Sequence, residues 1–212
     1  MAKDEGGQLI VKPFGETMIG RTTAAATKGA GPAPVHLWNP PFCGDIDMRI
    51  ARDGTWFHDG TPIGRAPLVR LFANILKREG DRFYLVTPVE KVGITVEDAP
   101  FVAVDFDVTG TGAAQSVTFV TNIGDRATAG PDHPLRVTRD AVTGEPSPYV
   151  MIRAGLEARI DRKSFYRMID LCSEEQHDGA LWFGLRAGGA FFAVIPAAEL
   201  AADLAPALEG LS

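Results

Sequence analysis

Cysteine is scarce in this chain: the 212 residues include two, Cys43 and Cys172. That is too few for a disulfide framework, and neither belongs to a CxxC pair or a zinc-type His cluster. Reduced thiols and a cytoplasmic location are the expectation. Long apolar runs are missing as well, since no stretch of about 18 consecutive apolar residues occurs. The opening MAKDEGGQ has no apolar core of an export signal. The sequence predicts neither export nor membrane insertion. Positive charge is in deficit, with 21 Lys and Arg against 27 Asp and Glu for a net charge of −6. This excludes the basic footprint of a nucleic-acid binder. The common catalytic signatures are absent too: no Walker A loop, no GxGxxG between a strand and a helix, no HExxH and no GxSxG. No catalytic residue, metal ligand or cofactor is therefore assigned.

What is present points to a globular protein rich in turns. Apolar residues make up 45% of the chain, and 23 Gly and 15 Pro favour short strands over long helices. Residues 1–34, with the small-residue stretch TTAAATKGAGPAP, read as a mobile arm or linker. An N-terminal α+β domain is expected over 35–98 and a β-rich domain over 99–212. In the first, Ile46, Met48 and Ile50 alternate with polar residues as a half-buried strand, and Asp53-Gly54 and Asp59-Gly60 turn the chain through a tight meander. Leu68, Leu71, Phe72, Ile75 and Leu76 recur at helical spacing and predict a helix from Arg65 to about Glu79. A hairpin over 83–96 completes a ββαββ pattern. Strands are expected near 101–108, 116–121, 135–139, 149–153 and 156–160. TGTGAAQ serves as a hairpin turn, not a phosphate loop.

A second helix is predicted from Arg162 to about Ser173 with Asp161 as its cap. A hairpin at 180–195 and a weak last helix over 197–208 follow. Sliding the chain by 97 residues lays IGRAPLVRLF (63–72) over IDRKSFYRMI (160–169), which aligns Arg65 with Arg162 and Arg70 with Arg167. Apolar helical spacing alone does not produce those two identities, so an internal duplication is expected. The fold class read here is α+β, built of two similar ββαββ units packed together.

Arg65 and Arg162 each open a helix, where the macrodipole disfavours a cation. Something anionic should compensate them. One source is internal, because residues 81–107 hold six acids and two bases while 135–167 hold four acids and seven bases. Such surfaces could meet, with Arg65 paired to Glu97 or Asp98. The other source is a bound anion lodged where Arg, Lys91 and a flat ring such as Trp56 converge. Asp45 and Asp47, on one face of a strand, are the only candidate acid–base pair should the protein be an enzyme. Cys43, between PPF and GDID, is read as a structural thiol.

The string PPFCGDIDMRIARDGTWFHDGTPIGRAPLVRLFANIL, with YLVTPVEKVGITVEDAPFVAV, TNIGD, HPLR and YVMIRAGLEARIDRKSFY after it, resembles the bacterial domain-of-unknown-function family 1285 over about residues 38–196. The resemblance implies a duplicated α+β core and a C-terminal half like a pleckstrin-homology β-barrel or sandwich with a C-terminal helix. It also implies a nucleotide-like ligand bound where the two halves meet, and a role in signal transduction. The family motif falls on Cys43, Gly44, Asp45, Asp47, Arg49, Asp53, Gly54, Trp56, Arg65, Arg70, Lys91, Glu97 and Asp98. The ligand-binding residues expected are Arg49, Trp56, Arg65, Arg70, Lys91 and Arg162. The leading expectation is a non-enzymatic regulatory protein that senses a small anionic metabolite. An enzyme for a phosphorylated or nucleotide substrate and a protein-interaction module with a protein partner are the alternatives.

Overall fold

The computed structural model describes residues 32–200. The expected arm lies almost entirely outside that range, as does most of the helix expected at 197–208, of which residues 197–200 are helical. The protein is a two-domain, mostly β molecule with few helices. By compactness the described residues divide into one unit of residues 32–47 and 63–94 and a second of 48–62 and 95–200. Strand β1 (Phe42–Ile50) begins in the first and ends in the second.

In the first unit, β1 lies beside β6 (Lys91–Val96), followed in order by β5 (Arg82–Val86) and β4 (Leu76–Glu79). Helix α1 (Ala66–Asn74) supplies Phe72 and Ala73 to a core shared with Ile75, Leu76, Leu85, Val86 and Val92. The helix is shorter than its apolar spacing suggests. Ile75 leaves helical geometry at φ −105 and ψ 9, its carbonyl accepts from the Val86 N–H at 2.9 Å, and Leu76 pairs with Leu85. The ladder to β5 satisfies the backbone of 76–79 as well as a helix would. It also places Lys77 and Glu79 2.9 Å apart in an ion pair. Helical periodicity and strand burial coincide at Ile75 and Leu76, so the pattern alone ran on too far.

In the second unit, the end of β1 pairs with β2 (Trp56–His58), which pairs with β3 (Thr61–Pro62), forming the expected meander. The Asp53-Gly54 turn has the Thr55 N–H donating to Asp53 Oδ1 at 2.9 Å and Gly54 at φ +84. A six-stranded sheet follows in the order β10 (Leu135–Arg139), β11 (Pro146–Arg153), β12 (Leu156–Ile160), β7 (Phe101–Thr109), β8 (Ser116–Thr121) and β9 (Arg126–Thr128). Its pairs are antiparallel except β12 with β7, and its curl brings β9 near β11. Helix α2 (Arg162–Ile169) starts directly after β12, with the expected cap: Asp161 Oδ1 accepts from the Ser164 N–H at 2.7 Å. It too ends early, and Ser173–His177 form strand β13, which pairs with β14 (Ala180–Ala187) and through it with β15 (Ala190–Pro196). Both helices therefore lead into a three-stranded antiparallel meander, and the starts of corresponding elements are offset by 96 to 99 residues.

Candidate functional site

Three arginines of the second unit line one cavity of about 670 Å³. Arg52 comes from the turn after β1, where its N–H donates to Glu97 Oε2 at 3.0 Å. Arg159 sits near the end of β12, opposite Tyr149 on β11. Arg162 is the first residue of α2, so the passage from β12 into the helix sets Arg159 and Arg162 three residues apart at one mouth. Phe165 and Tyr166 of the helix add aromatic wall, and Pro146 at the start of β11 and Glu145 just before it belong to the same lining.

The charges are unevenly satisfied. Asp98, with 15% of its side chain exposed, lies 3.4 Å from Arg52 Nε and 3.8 Å from Arg159 Nε through the same oxygen, Oδ2. Neither approach has hydrogen-bond geometry, and both Asp98 Oδ2 and Arg159 Nε are buried without a hydrogen bond. The other carboxylate oxygen accepts from the Tyr149 hydroxyl at 2.7 Å. Burial, with the Asp98 carboxylate second, pushes the Tyr149 phenol above its usual value. Arg136 caps the ring of Tyr149 at 4.1 Å and is itself held by two 2.7 Å bonds to Glu157. Arg162 has a different partner: its Nε and Nη2 donate to the Tyr166 hydroxyl at 3.3 and 3.1 Å. Among the described residues no carboxylate forms an ion pair with it. A guanidinium bonded to a neutral phenol keeps its full charge for an incoming anion.

Of the residues expected at a ligand site, Arg162 lines this cavity and the others do not. Arg49 binds Glu97 and lies 4.2 Å over the ring of Phe57. Trp56, expected as a flat surface for a ligand ring, is 1% exposed, because its pairing with Ile50 turns it into the core. Arg65, the extended residue just before α1, and Arg70 on α1 are exposed in the first unit. Lys91, also in that unit, bonds Glu79 at 2.9 Å and lies 4.9 Å over the ring of Tyr84. The acids weighed as partners for Arg65 are engaged elsewhere, Glu97 by Arg49 and Arg52 and Asp98 by Arg52, Arg159 and Tyr149. Asp45 and Asp47 are both exposed on β1, with Asp45 bonded to Arg82 at 2.5 Å. No three His, Cys, Asp or Glu side chains cluster as metal ligands among the described residues. Arg52, Arg159 and Tyr166 carry no helix-start or turn signal of their own, and the sequence reading missed them.

The comparisons with known proteins fit this architecture. Residues 33–99 match the N-terminal domain and residues 100–194 the C-terminal domain of DUF1285, a domain of unknown function. The chain belongs to the DUF1285 family. A DUF1285 protein from Silicibacter pomeroyi DSS-3 is 65% identical, and the match covers 84% of this chain and 95% of that one at a TM-score of 0.76. A second, from Shewanella baltica OS155, is 29% identical over 58% of this chain and 90% of its own, with a TM-score of 0.46. No curated protein matches. In DUF1285 terms, Arg52 and Asp98 fall in the N-terminal domain's range, and Arg159, Arg162 and Tyr166 in the C-terminal domain's. No described helix is long and apolar enough to cross a membrane.

Proposed function

We propose that this DUF1285 protein binds a small anionic, nucleotide-like metabolite and acts as a non-enzymatic cytoplasmic regulatory protein in signal transduction. The observation that carries the reading is the charge balance of the cavity, which three guanidinium groups and one carboxylate, Glu145, line; the low-exposure Asp98 carboxylate approaches Arg52 and Arg159, and Arg162 has no acid partner. Oxyanions are recognised by such arginines through charge-assisted bonds, and the exposed ring of Tyr166 offers a flat apolar surface beside them. A cavity of this size accommodates a mononucleotide-sized molecule. The same reading takes the two helix-and-meander segments as copies of one ancestral unit, supported by their 96 to 99 residue offset. It takes the C-terminal half as pleckstrin-homology-like, supported by its curled, mostly antiparallel sheet and the helical residues 197–200.

Thermal-shift measurements with inorganic phosphate, pyrophosphate and the common nucleotides test the proposal. A ligand at 100 times its dissociation constant stabilises the fold by about 2.7 kcal/mol. The shift should disappear in Arg162→Ala, whose melting temperature without ligand should match the parent. A shift that survives Arg162→Ala and Arg52→Ala together refutes this cavity as the site.

A further inference from the structure

Beside its arginines the cavity wall carries one carboxylate that is committed to nothing. The backbone of Glu145 is fixed: its N–H donates to Thr143 Oγ1 at 3.3 Å, and its carbonyl accepts from the Asp140 N–H at 3.0 Å. The loop before it is tied by the Val142 and Thr143 N–H groups, which donate to Asp140 Oδ1 at 2.9 and 2.8 Å. The Glu145 side chain, by contrast, makes no hydrogen bond or ion pair among the described residues. Arg162 lines the same cavity, equally without an acid partner. The two line one cavity, yet they do not pair with each other. A purely anionic ligand would answer Arg162 and be repelled by Glu145. A ligand with a nitrogen donor opposite its anionic group satisfies both, and a carboxylate meeting N–H donors is among the stronger hydrogen-bond pairings.

We infer that the cavity selects a zwitterionic ligand, an oxyanion at one end and an ammonium or N–H donor at the other, with Glu145 as the residue that reads the nitrogen. This rests on the anion-binding reading above and adds a specificity determinant to it. Arg52 and Arg162 set affinity for the oxyanion. Glu145, on a loop held by its own hydrogen bonds, discriminates between oxyanions that carry a donor and those that do not.

O-phosphoethanolamine and ethyl phosphate form a suitable pair of probes, because they share a phosphate monoester and differ in the ammonium group. Isothermal titration of the full chain should show the former binding about tenfold more tightly, the equivalent of one charge-assisted hydrogen bond. Glu145→Gln and Glu145→Ala should erase that difference without weakening ethyl phosphate, and Arg162→Ala should weaken both probes. Glu145 is exposed, so these variants should keep the parent melting temperature. Equal affinity of the two probes for the parent protein, or a preference that survives Glu145→Gln, overturns the inference and leaves anion binding standing. Failure of both probes to bind overturns the anion-binding reading and this inference with it.

Discussion

Asp98 Oδ2 stands 3.8 Å from Arg159 Nε, inside ion-pair range and outside a hydrogen bond. Charge attraction holds this pair without the directional bond that would saturate it, and the same oxygen is shared with Arg52 at 3.4 Å. The Tyr149 hydroxyl fixes the carboxylate from the other side at 2.7 Å. Asp98 is thus the internal counter-ion of the arginine cavity.

Removing that counter-ion should be costly. Asp98→Ala leaves the Tyr149 hydroxyl without its acceptor and a low-exposure guanidinium without compensation, which predicts a loss of about 2–4 kcal/mol in urea unfolding at unchanged m-value. Asp98→Asn keeps an acceptor for Tyr149 and should lose less. Equal stability of Asp98→Ala and the parent would show that solvent already screens these charges.

The Tyr149 phenol sets an alkaline limit. Burial and the Asp98 carboxylate raise its folded pKa above the ordinary value of 10.0. A raised folded pKa means that the contribution is fully present below the unfolded value and is lost as pH rises through the folded one. Stability should therefore fall above about pH 10. Tyr149→Phe should start about 1 kcal/mol lower at neutral pH and then decline less steeply. Parallel alkaline limbs for the two proteins would remove Tyr149 as the cause.

The turn between β14 and β15 offers an internal comparison. Gly188 and Gly189 both have left-handed backbone, at φ +56 and +78. A Cβ on Gly188 would lie 2.2 Å from the Ala129 carbonyl oxygen, whereas one on Gly189 meets nothing within 4 Å. Gly189→Ala should cost only the left-handed strain, about 1–2 kcal/mol. Gly188→Ala adds a clash with backbone that cannot rotate away, and should cost at least about 3 kcal/mol or displace the turn. Its N–H bond to the Gln115 carbonyl, 3.0 Å long, would go with it. Thermal melts of the two variants, side by side, separate strain from clash.

The two thiols should react at very different rates. Cys43 is exposed, whereas burial pushes the Cys172 thiol up to about 12 and its Sγ donates to the Met168 carbonyl at 3.4 Å. An aromatic disulfide reagent at pH 8 should therefore label one thiol quickly, and Cys43→Ser should abolish that phase. The second, half-buried with a raised pKa, should react far more slowly until denaturant exposes it. Two rapid equivalents in the folded protein would contradict the raised pKa of the half-buried Cys172 thiol.

Features set by neighbouring residues were legible in the sequence. Asp161 as a helix cap, Asp53-Gly54 and Asp59-Gly60 as turns, and most strands of the six-stranded sheet follow from local hydrogen bonding and alternation, which act over a few residues. The ends of the helices were not legible. Whether Leu76–Glu79 and Ser173–His177 continue a helix or pair as strands depends on β5 and β14, partners that local periodicity does not contain. The residues of the family motif were likewise visible, but their burial was not: Trp56 reads as a surface for a ligand and is core, because the register of β1 with β2 decides which face it takes. Arg162 could be singled out by its place at a helix start. Its companions could not, since Arg52 on a turn, Arg159 on a strand and Glu145 beside β11 meet only when three separate connections of the second unit converge. Composition and spacing determined that the chain would be globular, rich in short strands and poor in catalytic motifs. The tertiary structure alone decided which of the described arginines face a cavity, because charges far apart in sequence acquire a common environment only through the packing of the backbone that carries them.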